Sequence, residues 1–251
     1  MQAYFALVRR ELGSYFVSIS GYVIIAGTLL LLGFSFVDLL TKLNSEPTDV
    51  PLTEMFYGTY YFWLILLLTA PVMTMRLFAL EKFSGTYETL MTTPVRDSQV
   101  VFAKFTGALL FFLFNWLPLL GCVLIVNHHS SDPEVLDAGA LASTCLGIVL
   151  IGSLFMSMGC LASALTRSQV VASMISYALG IALFILSLRS LASESFSKGW
   201  AGELFSYISM VEHMQQFTQG TVDTRAVVYY LSLTTLFLFM TLKVVETRRW
   251  K

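Results

Sequence analysis

The sequence predicts an all-α integral membrane protein with six transmembrane helices. Three observations lead to this prediction. Apolar residues make up 56 % of the 251 residues and charged residues only 12 %, against roughly 25 % charged in an ordinary soluble domain. The polar residues are grouped in short blocks between long apolar runs. Six of these runs are close to the roughly 20 residues that a helix needs to cross the hydrocarbon core of a bilayer.

The six runs place residues 1–251 in a single transmembrane domain. They cover residues 21–40, 55–75, 105–126, 138–165, 170–188 and 226–242. The last run is the shortest, with 17 uncharged residues. Its many Val, Leu and Phe side chains each favour insertion by about 0.3–0.6 kcal/mol at the helix centre. Together they outweigh its threonines and serine, so we expect this run to span the membrane.

The distribution of Lys and Arg predicts that both termini face the cytoplasm. With the N-terminus inside, 11 of the 15 Lys and Arg residues fall in the inner segments and 4 in the outer ones, as the positive-inside rule requires. The first run is longer than the about 7–15 apolar residues of a signal peptide, so we expect it to be retained. The net charge of −1 gives no field that would attract nucleic acid.

The first 16 residues predict an amphipathic helix that lies along the inner membrane interface. Apolar side chains recur at helical spacing on one side, and arginines lie on the other. The apolar set is Phe5, Val8, Leu12 and Phe16, and the basic set is Arg9 and Arg10. In such a helix the arginines face lipid phosphates. An ordinary basic leader to the first span is the alternative interpretation.

The loop between the second and third spans reads EKFSGTYETLMTTP over residues 81–94. A turn at Gly85 and a stop at Pro94 predict a helix of about two turns between them. Tyr87, Leu90 and Met91 share one face of it, and Glu88 lies in its first turn. So short a helix is not stable alone in water. We therefore predict either a docking element for a cytoplasmic partner or a loop that packs on the chain's own helices.

This loop resembles the E-x-x-x-G-T-x-E-x-L-x-x-x-P motif of ABC-2 type transporter permeases. The matching residues are Glu81, Gly85, Thr86, Glu88, Leu90 and Pro94. The C-terminal part is similar to the gliding-motility-type and nitrous-oxide-reductase-maturation-type branch of these permeases. The residues that carry this second resemblance are His213, Phe217, Gly220, Asp223 and the run VVYYLSLTTLFLFMTLKVVETRRW.

The resemblance implies a transporter subunit of the bacterial cytoplasmic (inner) membrane, more often an exporter than an importer. It implies a coupling helix over about Thr86 to Met91 that fits a cleft on a separate ATPase subunit. ATP and Mg²⁺ would then bind to that subunit, and this chain would bind no cofactor. Further implied partners are a second permease copy or a sister permease and an accessory membrane or periplasmic protein. The ATPase-coupling residues would be Glu81, Gly85, Thr86, Tyr87, Glu88, Leu90, Met91 and Pro94.

The outer segment, residues 192–225, is too long for a simple turn between the fifth and sixth spans. Its apolar stripe consists of Leu204, Tyr207, Ile208, Val211 and Met214. Such a segment can lie at the outer interface or re-enter the protein where its backbone stays buried. Related permeases have short re-entrant helices here, and the resemblance implies an outer gate formed by Tyr207, Val211, His213 and Phe217.

Several kinds of chemistry find no support in the sequence. No Gly-Lys dipeptide occurs, so the phosphate-binding loop of an ATPase is absent. His128 and His129 are adjacent and cannot share one helical face, so we predict no metal site. Lys104 and Arg76 sit near span ends, where a long basic side chain is expected to snorkel to the interface. Without a charge at mid-membrane, a proton-coupled transporter is disfavoured.

Two other classes of function stay open at this point. The chain could be a scaffold through which an ATPase drives a mechanical or assembly process. It could also be a membrane enzyme, which would need convergent polar residues inside the spans, and Asn115 is a poor start for such a site. A scaffold would hydrolyse ATP with its partner yet move no solute.

Overall fold

A computed structural model of the chain describes residues 2–45, 52–57, 60–87, 95–129, 137–192 and 207–249. Within these ranges every regular element is a helix, and the all-α prediction is confirmed. In chain order the helices are α1 (Gln2–Val17), α2 (Ile19–Ser45), α3 (Leu52–Tyr57), α4 (Tyr60–Thr74), α5 (Ala79–Ser84), α6 (Asp97–His129), α7 (Ala138–Leu165), α8 (Gln169–Ala192), α9 (Met210–Thr218) and α10 (Thr224–Arg249).

Six helical stretches are long and apolar enough to cross a membrane. They are Ile19–Asn44, Tyr60–Ser84, Asp97–Val126, Ala138–Leu165, Gln169–Leu188 and Thr224–Thr247. Each overlaps one predicted run, so the six-span prediction is confirmed. Several boundaries differ from the predicted ones. Met55 belongs to the separate short helix α3, and α10 extends beyond its apolar run because Lys243 and Glu246 form an ion pair of 2.8 Å one turn apart on its surface.

Helix α7 is the centre of the bundle. It packs against α4, α6, α8, α9 and α10, and most of its length is buried. A Cβ atom added at Gly152 would collide with the ring of Phe112, and one added at Gly159 would collide with the side chain of Thr74. Helices in a bilayer associate through close packing, which small residues at the contact permit. The glycines of α7 therefore set how closely α6 and α4 approach it.

Helices α2, α6, α8 and α10 carry large apolar side chains on their outward faces. Phe34, Leu117, Ile185 and Phe239 are each more than half exposed. In a water-soluble protein such an apolar surface would be a liability, but a bilayer solvates it as well as the interior does. These faces therefore form the lipid-contacting surface of the bundle.

Helix α1 packs across α6, and its predicted position along the membrane interface stays a prediction. Glu11 and Tyr15 are buried, whereas Phe5 is 65 % exposed. The two helices approach closely, because a Cβ atom at Gly107 would lie 2.9 Å from the Cβ of Glu11. Tyr15 also donates a hydrogen bond of 2.7 Å to the carbonyl of Met73. The buried stripe of α1 is thus centred on a carboxylate rather than on the apolar side chains.

Of the remaining residues of the predicted interface helix, some are exposed and others are partly buried. Arg9 and Arg10 are exposed, as predicted, and Val8 and Leu12 are partly buried. The ring of Phe16 packs edge-on against Phe111, with 5.5 Å between ring centroids. The Glu11 carboxylate can be buried because Arg10 of the same helix and Lys104 of α6 both lie within ion-pair distance of it.

Candidate functional site

Four charged side chains from three helices meet at one end of the bundle. Nζ of Lys104, on α6, lies 3.0 Å from Oε1 of Glu11, on α1, and 2.8 Å from Oε1 of Glu81, on α5. Nη2 of Arg10 lies 2.8 Å and 3.1 Å from the same two oxygens. We call these four residues the charge network. It joins α1, α5 and α6 directly.

Lys104 does not snorkel, and that prediction is wrong. Its side chain is only 2 % exposed, and its ammonium lies 5.3 Å from the centroid of the Phe78 ring. Removing an ammonium ion from water costs several kcal/mol unless close counter-charges replace the lost hydration. Glu11 and Glu81 supply those charges. The lysine therefore points into the protein, because its two carboxylates are there.

Glu11 remains ionised within the network. Burial by itself would raise the pKa of its carboxyl group, but the charges of Lys104 and Arg10 outweigh burial and lower that pKa. A carboxylate with a lowered pKa stabilises the fold at neutral pH, and this contribution disappears as the pH falls and the group becomes protonated. At neutral pH the network thus contains two cations and an ionised Glu11 in direct contact.

The network adjoins the start of the motif loop. Helix α5 ends at Gly85, whose φ of 76° lies in the left-handed region that favours glycine. The hydroxyls of Ser84 and Thr86, on either side of it, are 2.8 Å apart. Glu81 lies four residues before this turn, one helical turn away. A force on the loop at Gly85 therefore acts first on the helix that carries Glu81.

Ser163, near the C-terminal end of α7, holds the turn that precedes α5. Its hydroxyl accepts hydrogen bonds from the backbone N–H groups of Phe78 (3.0 Å) and Ala79 (3.1 Å) and donates one to the carbonyl of Met75 (3.0 Å). Lys82 also donates to the carbonyl of Ala164. Helix α5 and the turn before it are thus attached to α7 by hydrogen bonds between side chains and backbone groups. Ion pairs attach α5 to α1 and α6.

Half of the predicted coupling residues lie in the part of the chain that the structure describes. Glu81 is in the charge network, Gly85 forms the turn after α5, and Thr86 and Tyr87, which follow this turn, are helical. Tyr87 is buried rather than exposed, and Nζ of Lys82 lies 5.3 Å from its ring centroid. The remaining predicted residues lie outside the described part of the chain, and their docking role stays a prediction: Glu88, Leu90, Met91 and Pro94.

A family model described as ABC-2 family transporter protein matches residues 22–245. The chain belongs to this family. An ABC-2 permease is the membrane component of an ABC transporter, works with a separate ABC ATPase and is not itself catalytic. The comparison with curated proteins gave no match. Of the charge network, Glu81 and Lys104 lie within the matched residues of this ABC-2 permease, and Arg10 and Glu11 precede them.

At the opposite end of the ABC-2 permease, α9 packs on α7 and α3. Ser143 and Thr53 donate hydrogen bonds of 2.5 Å and 2.8 Å to the carbonyls of Phe217 and Thr218. A Cβ atom at Gly147 would lie 2.9 Å from the Phe217 ring, so the ring fills the space that this glycine leaves. The last turn of α9 is therefore fixed to the N-terminal half of α7.

The face that α9 buries differs from the predicted stripe. Met210, Met214 and Phe217 are buried, whereas Val211 is only partly buried and Tyr207, which lies before the helix, is 45 % exposed. The prediction placed the helix too early because it overlooked Ser209, whose side chain accepts a hydrogen bond from the N–H of Glu212 and caps the helix. Leu204, another residue of that stripe, lies outside the described residues.

Of the predicted gate residues, His213 and Phe217 are brought into the interior. Nδ1 of His213 lies 3.3 Å from the hydroxyl of Tyr230 on α10, and the His213 ring also packs against Tyr229. Burial lowers the pKa of His213, so its imidazole is neutral at neutral pH. The gate itself stays a prediction.

The sequence-based analysis missed Glu11, Lys104 and Ser163. A helical-period signal for Glu11 was available, because Tyr4, Val8, Glu11 and Tyr15 recur at i, i+4, i+7 and i+11. Lys104 gave a weaker signal, since it is a charged residue just after the first two turns of an apolar helix. Ser163 carried none, as small hydroxyl residues are common in transmembrane helices.

Proposed function

We propose that this permease couples ATP hydrolysis by a separate nucleotide-binding subunit to substrate movement, in the direction of export, across the bacterial cytoplasmic membrane. Two permease chains, identical or sister, form the pathway, and ATP and Mg²⁺ bind to the two ATPase subunits. Both termini face the cytoplasm, and the chain belongs to the gliding-motility and nitrous-oxide-reductase-maturation branch. The observation that carries the proposal is the buried charge network beside the motif loop.

The charge network connects the motif loop to the membrane spans, so that movement of the loop can be transmitted to them. When the ATPase subunits close, they displace the motif loop, and α5 moves with it through the turn at Gly85. Glu81 then acts on Lys104 of α6 and on Arg10 of α1, both of which it contacts. Buried ion pairs resist separation, because parting them leaves uncompensated charges in a poorly solvated site. Three helices therefore follow the loop together.

The docking role of the loop is tested by Leu90→Asp. A carboxylate on the apolar face of the coupling helix would have to be desolvated in the ATPase cleft, so we expect the variant to lose co-purification with the ATPase subunit. Membrane insertion should be unchanged. The control is Thr92→Asp, which adds the same charge to the same loop away from that face. Co-purification that survives Leu90→Asp would rule out docking through this face.

The coupling role of the network is tested by the double variant Lys104→Met/Glu11→Gln. It removes one buried cation and one buried carboxylate together. Replacing a buried ion pair by neutral side chains often leaves the free energy of unfolding unchanged or higher. We therefore expect a thermal midpoint close to that of the wild type and normal ATPase binding. Stimulation of the ATPase by the permease should nevertheless fall to near the level of the ATPase subunit alone.

The matched control for this double variant is Lys243→Met/Glu246→Gln, which removes the exposed ion pair of α10. It should keep both stability and stimulation. If the network only stabilises the fold, the Lys104/Glu11 variant will keep full stimulation together with its stability, and the coupling role will be wrong.

A further inference from the structure

A cavity of about 500 Å³ lies beside the charge network, between α1, the end of α4, α5 and the first turns of α6. Ser14, Tyr15 and Thr86 contribute hydroxyl groups to its wall, and Leu77 and Leu80 contribute apolar surface. Its volume lies within the range of about 300–1,000 Å³ that small-molecule sites occupy. It is large enough for a polar head group with an apolar extension.

Arg76, immediately after α4, lines this cavity. Its Nη1 donates to the hydroxyl of Ser18 (2.8 Å) and to that of Ser20, and its Nη2 lies 3.4 Å from the carbonyl of Ser14. The guanidinium carbon lies 5.4 Å from the centroid of the Tyr15 ring. All of these partners are neutral. Among the residues that the structure describes, no carboxylate lies within ion-pair distance of Arg76.

The wall of the cavity therefore has an excess of positive charge. Three cations line it, Arg10, Arg76 and Lys104, against two carboxylates, Glu11 and Glu81. Arg10 and Lys104 are both paired with these carboxylates. The excess of one formal charge thus falls on Arg76. A partly buried arginine that faces a cavity without a counter-ion is an attractive site for an anion.

We propose that this cavity binds a phosphate group through Arg76, and that an anionic phospholipid head group supplies it. The planar guanidinium matches two phosphate oxygens at once. The predicted orientation puts the cavity at the cytoplasmic interface, where head groups lie. Val17 and Ile19 nearby are 87 % and 83 % exposed, so they can contact the acyl chains of such a lipid.

The test is the thermal unfolding of the purified permease, without its ATPase, in a neutral detergent. Phosphatidylglycerol, phosphatidylcholine and inorganic phosphate are titrated separately into the wild type, Arg76→Gln, Arg76→Lys and Arg167→Gln. Arg167 is the matched control, because it is an exposed arginine between α7 and α8 that does not line the cavity. Since the ATPase is absent, the outcome is independent of the proposed coupling function.

We expect phosphatidylglycerol to raise the midpoint of the wild type and of Arg167→Gln saturably, with a much smaller effect from phosphatidylcholine. Arg76→Gln should need about ten-fold more phosphatidylglycerol for half of the shift, the effect of losing one charge-assisted contact. If Arg76→Gln does not fold, Arg76→Lys, which keeps the charge but not the planar fork, should still show a weakened response.

Two further outcomes are decisive. If inorganic phosphate alone produces the same Arg76-dependent shift, the phosphate site is supported and its ligand is soluble rather than a lipid. If the Arg76 variants respond like the wild type, or if neither lipid nor phosphate shifts the wild type, the proposal is overturned. In that case Arg76 serves only to hold the junction between α1 and α2.

Discussion

Replacement of Lys104 by methionine alone should destabilise the permease by about 3–5 kcal/mol, the cost of removing one partner from a buried ion pair. The methionine fills a similar volume, so the loss comes from charge rather than from a cavity. Glu11 and Glu81 would share the single cation Arg10, and the side chain of Arg10 is half exposed. The midpoint of thermal or denaturant unfolding in detergent measures this effect.

The control for this prediction is Lys243→Met, which breaks an exposed ion pair of the same length, 2.8 Å. Exposed pairs contribute about 0–1 kcal/mol, so this variant should unfold close to the wild type. Adding Glu11→Gln to Lys104→Met should recover most of the lost stability, because it removes the surplus carboxylate. Equal midpoints for Lys104→Met and Lys243→Met would show that the Lys104 ion pairs are not a major source of stability.

Gly152→Ala should destabilise the bundle by about 1–3 kcal/mol, the usual cost of adding a methyl group to a filled interior. The new Cβ would overlap the ring of Phe112, which is fully buried and cannot swing into solvent. Either α6 must move away from α7 or the ring must leave its preferred rotamer. Unfolding midpoints of purified protein report the loss.

Gly27→Ala provides the comparison, because nothing lies within 4 Å of a Cβ built on Gly27 of α2. The substitution also raises helix propensity, by about 1 kcal/mol in water-soluble helices. We therefore expect this variant to be as stable as the wild type or slightly more stable. A Gly152→Ala protein that unfolds at the same temperature as Gly27→Ala would contradict the packing that we describe around α7.

The six spans could be predicted because the bilayer imposes a length and excludes charge, and both properties are visible in a single sequence. Which face of each span is buried could not be predicted, since a transmembrane helix is apolar all round. Helix α1, which is not one of the spans, poses a similar difficulty at Phe5 and Tyr15. Both are aromatic residues of α1, yet Tyr15 is buried while Phe5 is exposed, and the tertiary hydrogen bond of Tyr15 to Met73 accompanies this difference.

The candidate site was predictable only in part, for a similar reason. Glu81 and Gly85 belong to a local motif and could be identified from it. Lys104 and Glu11 are 93 positions apart, and no local pattern pairs them. The position of α9, by contrast, could have been predicted from the Ser209-x-x-Glu212 sequence, which is a capping-box pattern.

Helix α7 makes hydroxyl contacts near both of its ends. Ser143 binds the carbonyl of Phe217 at the end of α9, and Ser163 binds the turn before α5. Twenty residues separate these serines, or about 30 Å along the helix axis, which equals the thickness of the hydrocarbon core. One helix thus contacts the proposed coupling element near one end and the predicted gate segment near the other. We expect a rotation or axial shift of α7 to act on both segments at once, without passing through the lipid-exposed helices.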